Sequence, residues 1–273
     1  MPMLSSLPPE DWLDPDLAPR PVITFGIAME TTGSLELDAH RHAKGQILLA
    51  LCGVLSCEVE GGLWIVPPQS AIWIPGGEIH AIKAAGKIQG YNAFIDAANA
   101  SRLPARCCTI SATPLLRELL IRSASLPVLY PDGGLEAHLV TLLIDELAAA
   151  PIGNLHLPMP ADGRLRKIVE MMMADPAAGG TMATWAARAG LSERTFARRL
   201  GRETGMSFGR WRRQLNVMMA LQWLAEGRSI QQVAAGLGYE SASSFVTRFR
   251  KVLGAPPGRY MAERHGGPGR PRR

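Results

Sequence analysis

Apolar positions follow two regimes along the 273 residues. From Val22 to about Phe94 they come in runs of four to eight, cut by Gly-Gly, Pro-Pro and Pro-Gly-Gly, as in QILLALCGVLSCEVEGGLWIVPPQSAIWIPGGEIHAI. Runs of this length between turn residues predict short strands, and their close spacing favours a small antiparallel barrel or sandwich over a parallel sheet. Helical spacing then takes over. PLLRELLIRSASL (Pro114 to Leu126) opens on proline, and GLEAHLVTLLIDELAAAP (Gly134 to Pro151) reads as an amphipathic helix closed by proline. IGNLHLPMPADG (Ile152 to Gly163) has no periodicity, two prolines and two glycines, and is expected to be an interdomain linker.

Everything beyond the linker has a helical pattern. Thr181 or Thr184 can cap a helix over TMATWAARAG, and Ser192 caps the next. SFGRWRRQLNVMMALQWLAEG (Ser207 to Gly227) is long and apolar and ends on glycine; Ser229 opens a short helix, and another is expected from about Ser241 to Leu253. Within this region one device occurs twice. AARAGLSERTFARRLGRETG (Ala186 to Gly205) is echoed by AAGLGYESASSFVTRFRKVLG (Ala234 to Gly254). Ala186 pairs with Ala234 and Gly190 with Gly238; after a one-residue slip, Phe196 pairs with Phe245, Arg199 with Arg248 and Arg202 with Lys251.

A small residue for a close crossing, a glycine to leave the first helix and an apolar anchor in the second describe a helix-turn-helix. The first copy is expected at about 182–203 and the second at about 230–253. The polar faces of the second helices carry Arg194, Thr195, Arg198, Arg199 and Arg202, with Ser192 at the helix start, and Ser243, Ser244, Thr247, Arg248, Arg250 and Lys251. Such a helix can place side chains on base edges in a major groove while cations hold phosphates. One recognition helix reads few base pairs, and two helices must stand roughly 34 Å apart to reach successive turns. A bridge of about 20 residues spans roughly 30 Å, so one chain can do what most such proteins do as dimers.

Charge supports this division. Residues 161–273 carry 20 Lys and Arg against 8 Asp and Glu, a balance of +12, whereas residues 1–160 carry 9 against 16, a balance of −7. Only the C-terminal part is suited to a polyanion. Of the cations, 24 are arginines and 5 lysines, which favours forked contacts to phosphates and guanine edges. No apolar run is long enough for a membrane span. The N-terminus lacks the basic start and apolar block of a secretory signal and is expected to be a loose arm. Cys52, Cys57, Cys107 and Cys108 have no CxxC spacing and are expected to be reduced thiols of a cytoplasmic protein.

Residues 164–263 resemble the AraC/XylS family of bacterial transcription regulators. The resemblance rests on RRLGRETGMSF, the bridge WRRQLNVMMALQWLAEGRSIQQVA and, above all, LGYESASSFVTRFRKVLGAPPGRY. It implies that the second helix of each motif enters one of two adjacent major grooves, with Arg194 and Arg198 reading bases in one and Ser243, Ser244 and Thr247 in the other. Ala197 and Ala242 stand where relatives often carry polar readers. Asn216, Met218 and Met219 stand where basic residues are frequent. Phe196, Phe245, Phe249, Trp211 and Trp223 are expected in the core.

In the first half, His40-x-His42, then Gln46 and Gly53, followed by Pro75, Gly77 and His80, resemble the two motifs of the cupin barrel, the usual sensor domain of one branch of these regulators. In metal-binding cupins two histidines, a glutamate and a third histidine hold one divalent ion. Here the glutamate position is Gln46, a poorer ligand, and a frequent asparagine is Ala84. Two readings therefore stand for His40, His42, Gln46 and His80: a metal-free effector pocket, or a divalent metal on the three histidines. Buried structural histidines are the third. Trp64 and Trp73 belong to apolar strands and are expected in the core.

No Ser-His-Asp order, nucleophile elbow, phosphate loop or carboxylate pair stands out, so a cupin-type metalloenzyme is the minority alternative, beside an effector-independent regulator. The expected fold is α+β and multidomain: arm 1–21, cupin-like antiparallel barrel 22–151, linker 152–163, all-α DNA-binding domain 164–263 and basic tail 264–273. The implied partners are double-stranded promoter DNA, a small-molecule effector, RNA polymerase where the outcome is activation, and a second copy through the helix Leu135 to Ala149, whose other reading is cover for the barrel. No cofactor is required by this reading.

Overall fold

A computed structural model describes residues 14–59, 61–153 and 155–264; most of the expected arm and tail lies outside the described residues. The chain forms two compact units, one built from residues 14–59 and 64–153 and the other from Gly61–Leu63 and Leu155–Glu263.

The first unit holds strands β1 (Val22–His40), β2 (Gly45–Val59), β3 (Gly62–Val66), β4 (Ser70–Ile74) and β5 (His80–Ile95), a one-turn helix α1 (Ala97–Ala100), strand β6 (Cys108–Ser111), helices α2 (Pro114–Ser123) and α3 (Leu135–Ala149) and strand β7 (Ile152–Gly153). The sheet runs β1-β5-β2-β4-β6-β7, with β3 beside β2. Every pairing along this path is antiparallel. The expected barrel is therefore corrected to an open sheet, since its two ends do not pair with each other among the described residues.

Both faces of that sheet are buried. Ile47 and Leu49 of β2 join Trp73, Ala93 and Ile95 in a core closed by Leu116 and Leu120 of α2 and Leu143, Ile144 and Leu147 of α3. Their neighbours Leu48 and Ala50 point the other way, into a core with Trp64, Ile72, Ile74 and Ile82. Two buried faces explain why QILLAL shows no alternation of apolar with polar residues. Burying each such leucine is worth about 1.5–3 kcal/mol, which makes the α2–α3 layer an integral part of the unit. Of the two readings of the helix Leu135 to Ala149, the cover over the sheet is the one built here; Leu135 and Leu142 remain exposed. Trp64 and Trp73 are core residues.

The expected linker is more ordered than its composition suggests. Ile152 and Gly153 pair with Ile110 and Thr109, so they extend the sheet. The second unit then begins with β8 (His156–Pro158) and helix α4 (Gly163–Ala174), capped by Asp162, whose side chain accepts from the Arg164 and Leu165 amides. There follow α5 (Met182–Arg188), α6 (Glu193–Thr204), α7 (Phe208–Ala225), α8 (Ile230–Gly236), α9 (Ala242–Leu253) and α10 (Pro257–Arg264). Thr181, Ser192, Ser207, Ser229 and Ser241 each accept a hydrogen bond from a first-turn amide, satisfying donors that a helix start leaves free.

The two helix-turn-helix copies are closed by the same backbone device. At the end of α5, Gly190 (φ 65°) donates to the Ala187 carbonyl and Leu191 to the Ala186 carbonyl. At the end of α8, Gly238 (φ 74°) donates to Ala235 and Tyr239 to Ala234. A left-handed residue with this crossed pair of bonds ends a helix sharply, and a side chain there would be strained. Ala186 and Ala234, the acceptors, are buried, so their small size and their carbonyls serve one turn. Phe196, Phe245, Phe249 and Trp211 are buried as expected; Trp223 is half-buried, with Arg228 4.6 Å above its ring.

Candidate functional site

Helix α6 sorts its side chains into three stripes. Phe196, Leu200 and Thr204, spaced by four, face the core. Arg194, Arg198 and Arg202, also spaced by four, are exposed. Thr195 is half-buried at their edge, where its hydroxyl accepts from Ser192 Oγ at 2.9 Å. The Ser192 hydroxyl also caps the helix, accepting from the Thr195 amide. Arg199 lies on the flank, and its Nη1 donates to Asp162 Oδ2 at 2.8 Å. Arg202 stays open at 77% side-chain exposure, its nearest carboxylate being Glu203 at 3.8 Å.

Helix α9 repeats the plan. Phe245 and Phe249 are buried, and Ser243, Ser244, Thr247, Arg248, Arg250 and Lys251 are all exposed. The Thr247 hydroxyl donates to the Ser243 carbonyl at 2.9 Å. Both helices end in left-handed glycines, Gly205 and Gly254, with Arg202 or Arg250 and Lys251 in the last turn, where cations suit the helix dipole. Between them α7 runs 18 residues, roughly 27 Å at 1.5 Å per residue. Met218 is buried in its core-facing side, which explains the absence of a cation there; Asn216 and Met219 are half-buried.

In the first unit, the structure brings together the three histidines taken from distant motifs. His40 and His80 are register partners across β1 and β5. Ring centroids stand 4.4 Å apart for His40–His80, 5.0 Å for His40–His42 and 5.6 Å for His42–His80, and one ring nitrogen of each lies within 4.8 Å of the others. His40 Nδ1 lies 2.7 Å from the Asp38 carbonyl and His80 Nδ1 2.9 Å from that of Glu78. A carbonyl can only accept, so in both rings Nδ1 carries a proton and Nε2 is the nitrogen turned to the cluster in the neutral tautomer. His80 Nε2 is buried with no hydrogen-bond partner. Burial, then the neighbouring His40, push the His42 imidazole below its ordinary value, against the pull of Asp16 and Asp14. Burial does the same to His80, against its bond to Glu78 and with help from His40 and His42.

Gln46 is buried as the register partner of Phe94 and Ile74 and is turned to another residue. Its Nε2 donates to Asn92 Oδ1 at 3.0 Å, and its Oε1 has no hydrogen-bond partner. Asn92, which motif reading missed, fixes the amide's orientation; Phe94, at 4.9 Å from the His42 ring, adds an apolar wall. The loop carrying His42 is held firmly. Asp16 accepts from the Ala43 and Lys44 amides, the buried Lys44 ammonium donates to the Ala18 and Arg20 carbonyls, and Gly77 donates to the His42 carbonyl. The donor set suits an electron-pair acceptor: three clustered imidazoles fit a divalent cation, with the carboxylate usual at the fourth place replaced by an amide. All four cysteines are free thiols, and burial pushes Cys57 up to about 12, Cys108 to about 11 and Cys107 higher still, so these three are not poised as nucleophiles.

Paired reading helices on a basic unit, joined in one chain to a sheet domain with a polar cluster, define a sensor-and-reader protein. Comparison with known proteins agrees. Residues 30–147 match the AraC-like ligand binding domain and residues 185–263 a helix-turn-helix domain. Over 249 residues, 91% of this chain and 90% of the relative, it is 41% identical to the HTH-type transcriptional regulator NimR of Escherichia coli. It is also 33% identical to the HTH-type transcriptional regulator RipA of Corynebacterium glutamicum over 103 residues, 38% of this chain and 31% of the relative. Among solved structures, ToxT from Vibrio cholerae aligns over 90% of this chain and 100% of its own at 12% identity and TM-score 0.39. The DNA-binding domain of AdpA in complex with a target DNA aligns over 36% and 88% at 31% identity and TM-score 0.34.

The chain belongs to the AraC family of helix-turn-helix transcriptional regulators. It is a DNA-binding regulator with an N-terminal ligand-binding domain.

Proposed function

We propose that this regulator is a cytoplasmic protein that grips promoter DNA with α6 and α9 in successive major grooves and senses a small effector at His40, His42 and His80. The carrying observation is the repeated unit itself: two identically closed turns, two exposed polar stripes and a bridging helix of roughly 27 Å between them. Arg194 and Arg198 read bases in one groove, and Ser243, Ser244 and Thr247 in the next; Arg202, Arg248, Arg250 and Lys251 hold phosphates. A DNase footprint on the region upstream of the chain's own gene is expected to cover two half-sites one turn apart, with affinity falling steeply in salt. Protection of one half-site, or a flat salt response, refutes this.

At the sensor site the first reading is an organic ligand that donates hydrogen bonds to the imidazole lone pairs, favoured by the neutral Gln46 in the carboxylate position. The second is a divalent cation, favoured by the two backbone-oriented rings and the orphaned His80 nitrogen. Metal analysis separates them: a stoichiometric ion lost in His42→Ala selects the cation. In either case the occupant is bound and released unchanged, and it acts by shifting the population of DNA-competent molecules.

A further inference from the structure

The segment entering the DNA-binding unit is fastened to the first reading helix, and not by apolar packing alone. Pro158 accepts from Trp211 Nε1 at 2.8 Å, and Pro160 from Arg166 Nε at 3.3 Å. Asp162 then makes contacts in three directions. Its Oδ1 caps α4, its Oδ2 accepts from Arg199, and its amide donates to Glu203 Oε2 at 2.9 Å. Arg199 and Glu203 are one turn apart on α6, on the flank between the Arg194–Arg198–Arg202 stripe and the core stripe. Side-chain exposure is 22% for Asp162 and 37% for Arg199, so the pair is sheltered without being sealed. The two α4 amides, and after them Arg199, hold the Asp162 carboxyl below the usual carboxylate range, so it is charged at neutral pH. No ion pair among the described residues engages α9, where Arg248 stands exposed at the matching place.

We propose that Asp162 is a positioning residue for DNA reading: with Arg199 and Glu203 it clasps the end of the interdomain segment to α6, so Asp162 sets the orientation of the first reading helix and has no matching contact on the second. An ion pair on one flank and a backbone bond one turn away resist both rotation of α6 about its axis and sliding along it. The consequence is asymmetric. A pull on Asp162 reaches the half-site read by α6 first.

The inference rests on the reading of α6 and α9 as DNA readers, and the test keeps the two apart. A duplex is selected from a randomised library by the unmodified full-length chain, and the half-site sensitive to Arg198→Ala is assigned to α6. If Arg198→Ala has no site-selective effect, the DNA reading itself has failed. With that half-site assigned, Asp162→Asn keeps a good capping oxygen but removes the charge facing Arg199. Affinity for the intact duplex is expected to fall about fivefold. The loss should vanish on a duplex whose α6 half-site is scrambled and persist when the α9 half-site is scrambled. Asp162→Asn combined with Arg199→Gln should be no worse than either alone, because both break one contact. The salt slope should not change, because neither partner touches phosphate. Equal loss at both half-sites, no loss, or additive loss in the double variant overturns the proposal. A gain in affinity with a steeper salt slope also overturns it, since Arg199 would then be a phosphate ligand held in check.

Discussion

Moving the two operator half-sites apart by five base pairs tests the tandem geometry directly. Half a turn of B-DNA carries the second site roughly 17 Å along the axis and to the opposite side of the duplex. The bridge cannot follow. Trp211, Leu215, Met218 and Leu221 of α7 are buried along its whole length, so the bridge is a packed helix and not a loose tether. The displaced half-site is lost with all its base contacts. If Ser243, Ser244 and Thr247 supply two or three discriminating contacts at about 1–3 kcal/mol each, the cost is roughly 2–9 kcal/mol, a fall in affinity of at least about one and a half powers of ten. Mobility-shift titration on duplexes with zero, five and ten added base pairs measures it. Ten added base pairs should not restore binding, because the same face returns roughly 34 Å too far away. Two units joined by a loose tether would instead bind at all three spacings with small differences. Equal affinity at zero and five would refute the rigid bridge.

Three further outcomes are expected. Arg198→Ala should weaken operator binding by about 1–3 kcal/mol and relax preference at one base pair, measured by binding to a single-substitution duplex set; a uniform loss over all sequences would make it a phosphate contact. Phe249→Ala should destabilise the second unit by about 3–5 kcal/mol in urea denaturation, since the ring is buried 5.7 Å from both Phe245 and Tyr260; a cost below about 1 kcal/mol would mean that this core collapses around the gap. Burial lowers the His156 imidazole from its ordinary value of 6.5, so the unfolded chain takes up a proton that the folded chain refuses. Its stabilising contribution is complete above pH 6.5 and is lost as pH falls toward the folded-state value; urea midpoints at pH 7.5 and 5.5 should differ less in His156→Asn than in the parent, and an unchanged difference would refute the assignment.

How much of this was readable in advance follows from how local each interaction is. The helix-turn-helix copies were legible because their chemistry is packed into a few residues: a left-handed glycine, an acceptor alanine four positions before it, and a capping serine or threonine. Strand runs in β2 and β4 were legible for a similar reason, yet the same runs serve an open or a closed sheet. Closure depends on whether the terminal strands meet, and β1 and β7 lie more than a hundred residues apart. The histidine motifs announced a site, but the partner that turns the Gln46 amide is Asn92, 46 positions away, with no local signal. Asp162 was visible only as part of an aperiodic stretch, because its partners on α6 are 37 and 41 residues downstream.

The neighbours Arg198 and Arg199 show where a pattern holds more than composition does. Both are arginines on a basic helix, and as residue types both suit DNA. Helical geometry separates them. At about 100° per residue, Arg198 points about 180° from the mean direction of Phe196 and Leu200, whereas Arg199 points only about 80° away. The first must face outward once those two side chains enter the core. The second lies at the edge of the core stripe, where a guanidinium covered by a neighbouring segment requires an acceptor. The phase of the apolar stripe therefore left Arg199 open to a protein partner as well as to DNA, the role its sequence suggested; only the fold could supply that partner, Asp162, from the segment that leads into the unit. Arg248 occupies the same phase on α9 and is exposed, so at that site the requirement falls to solvent or to a phosphate. The two copies share a scaffold and differ in what meets this flank, which is why a signal arriving through the chain has a direct purchase on one reading helix and not on the other.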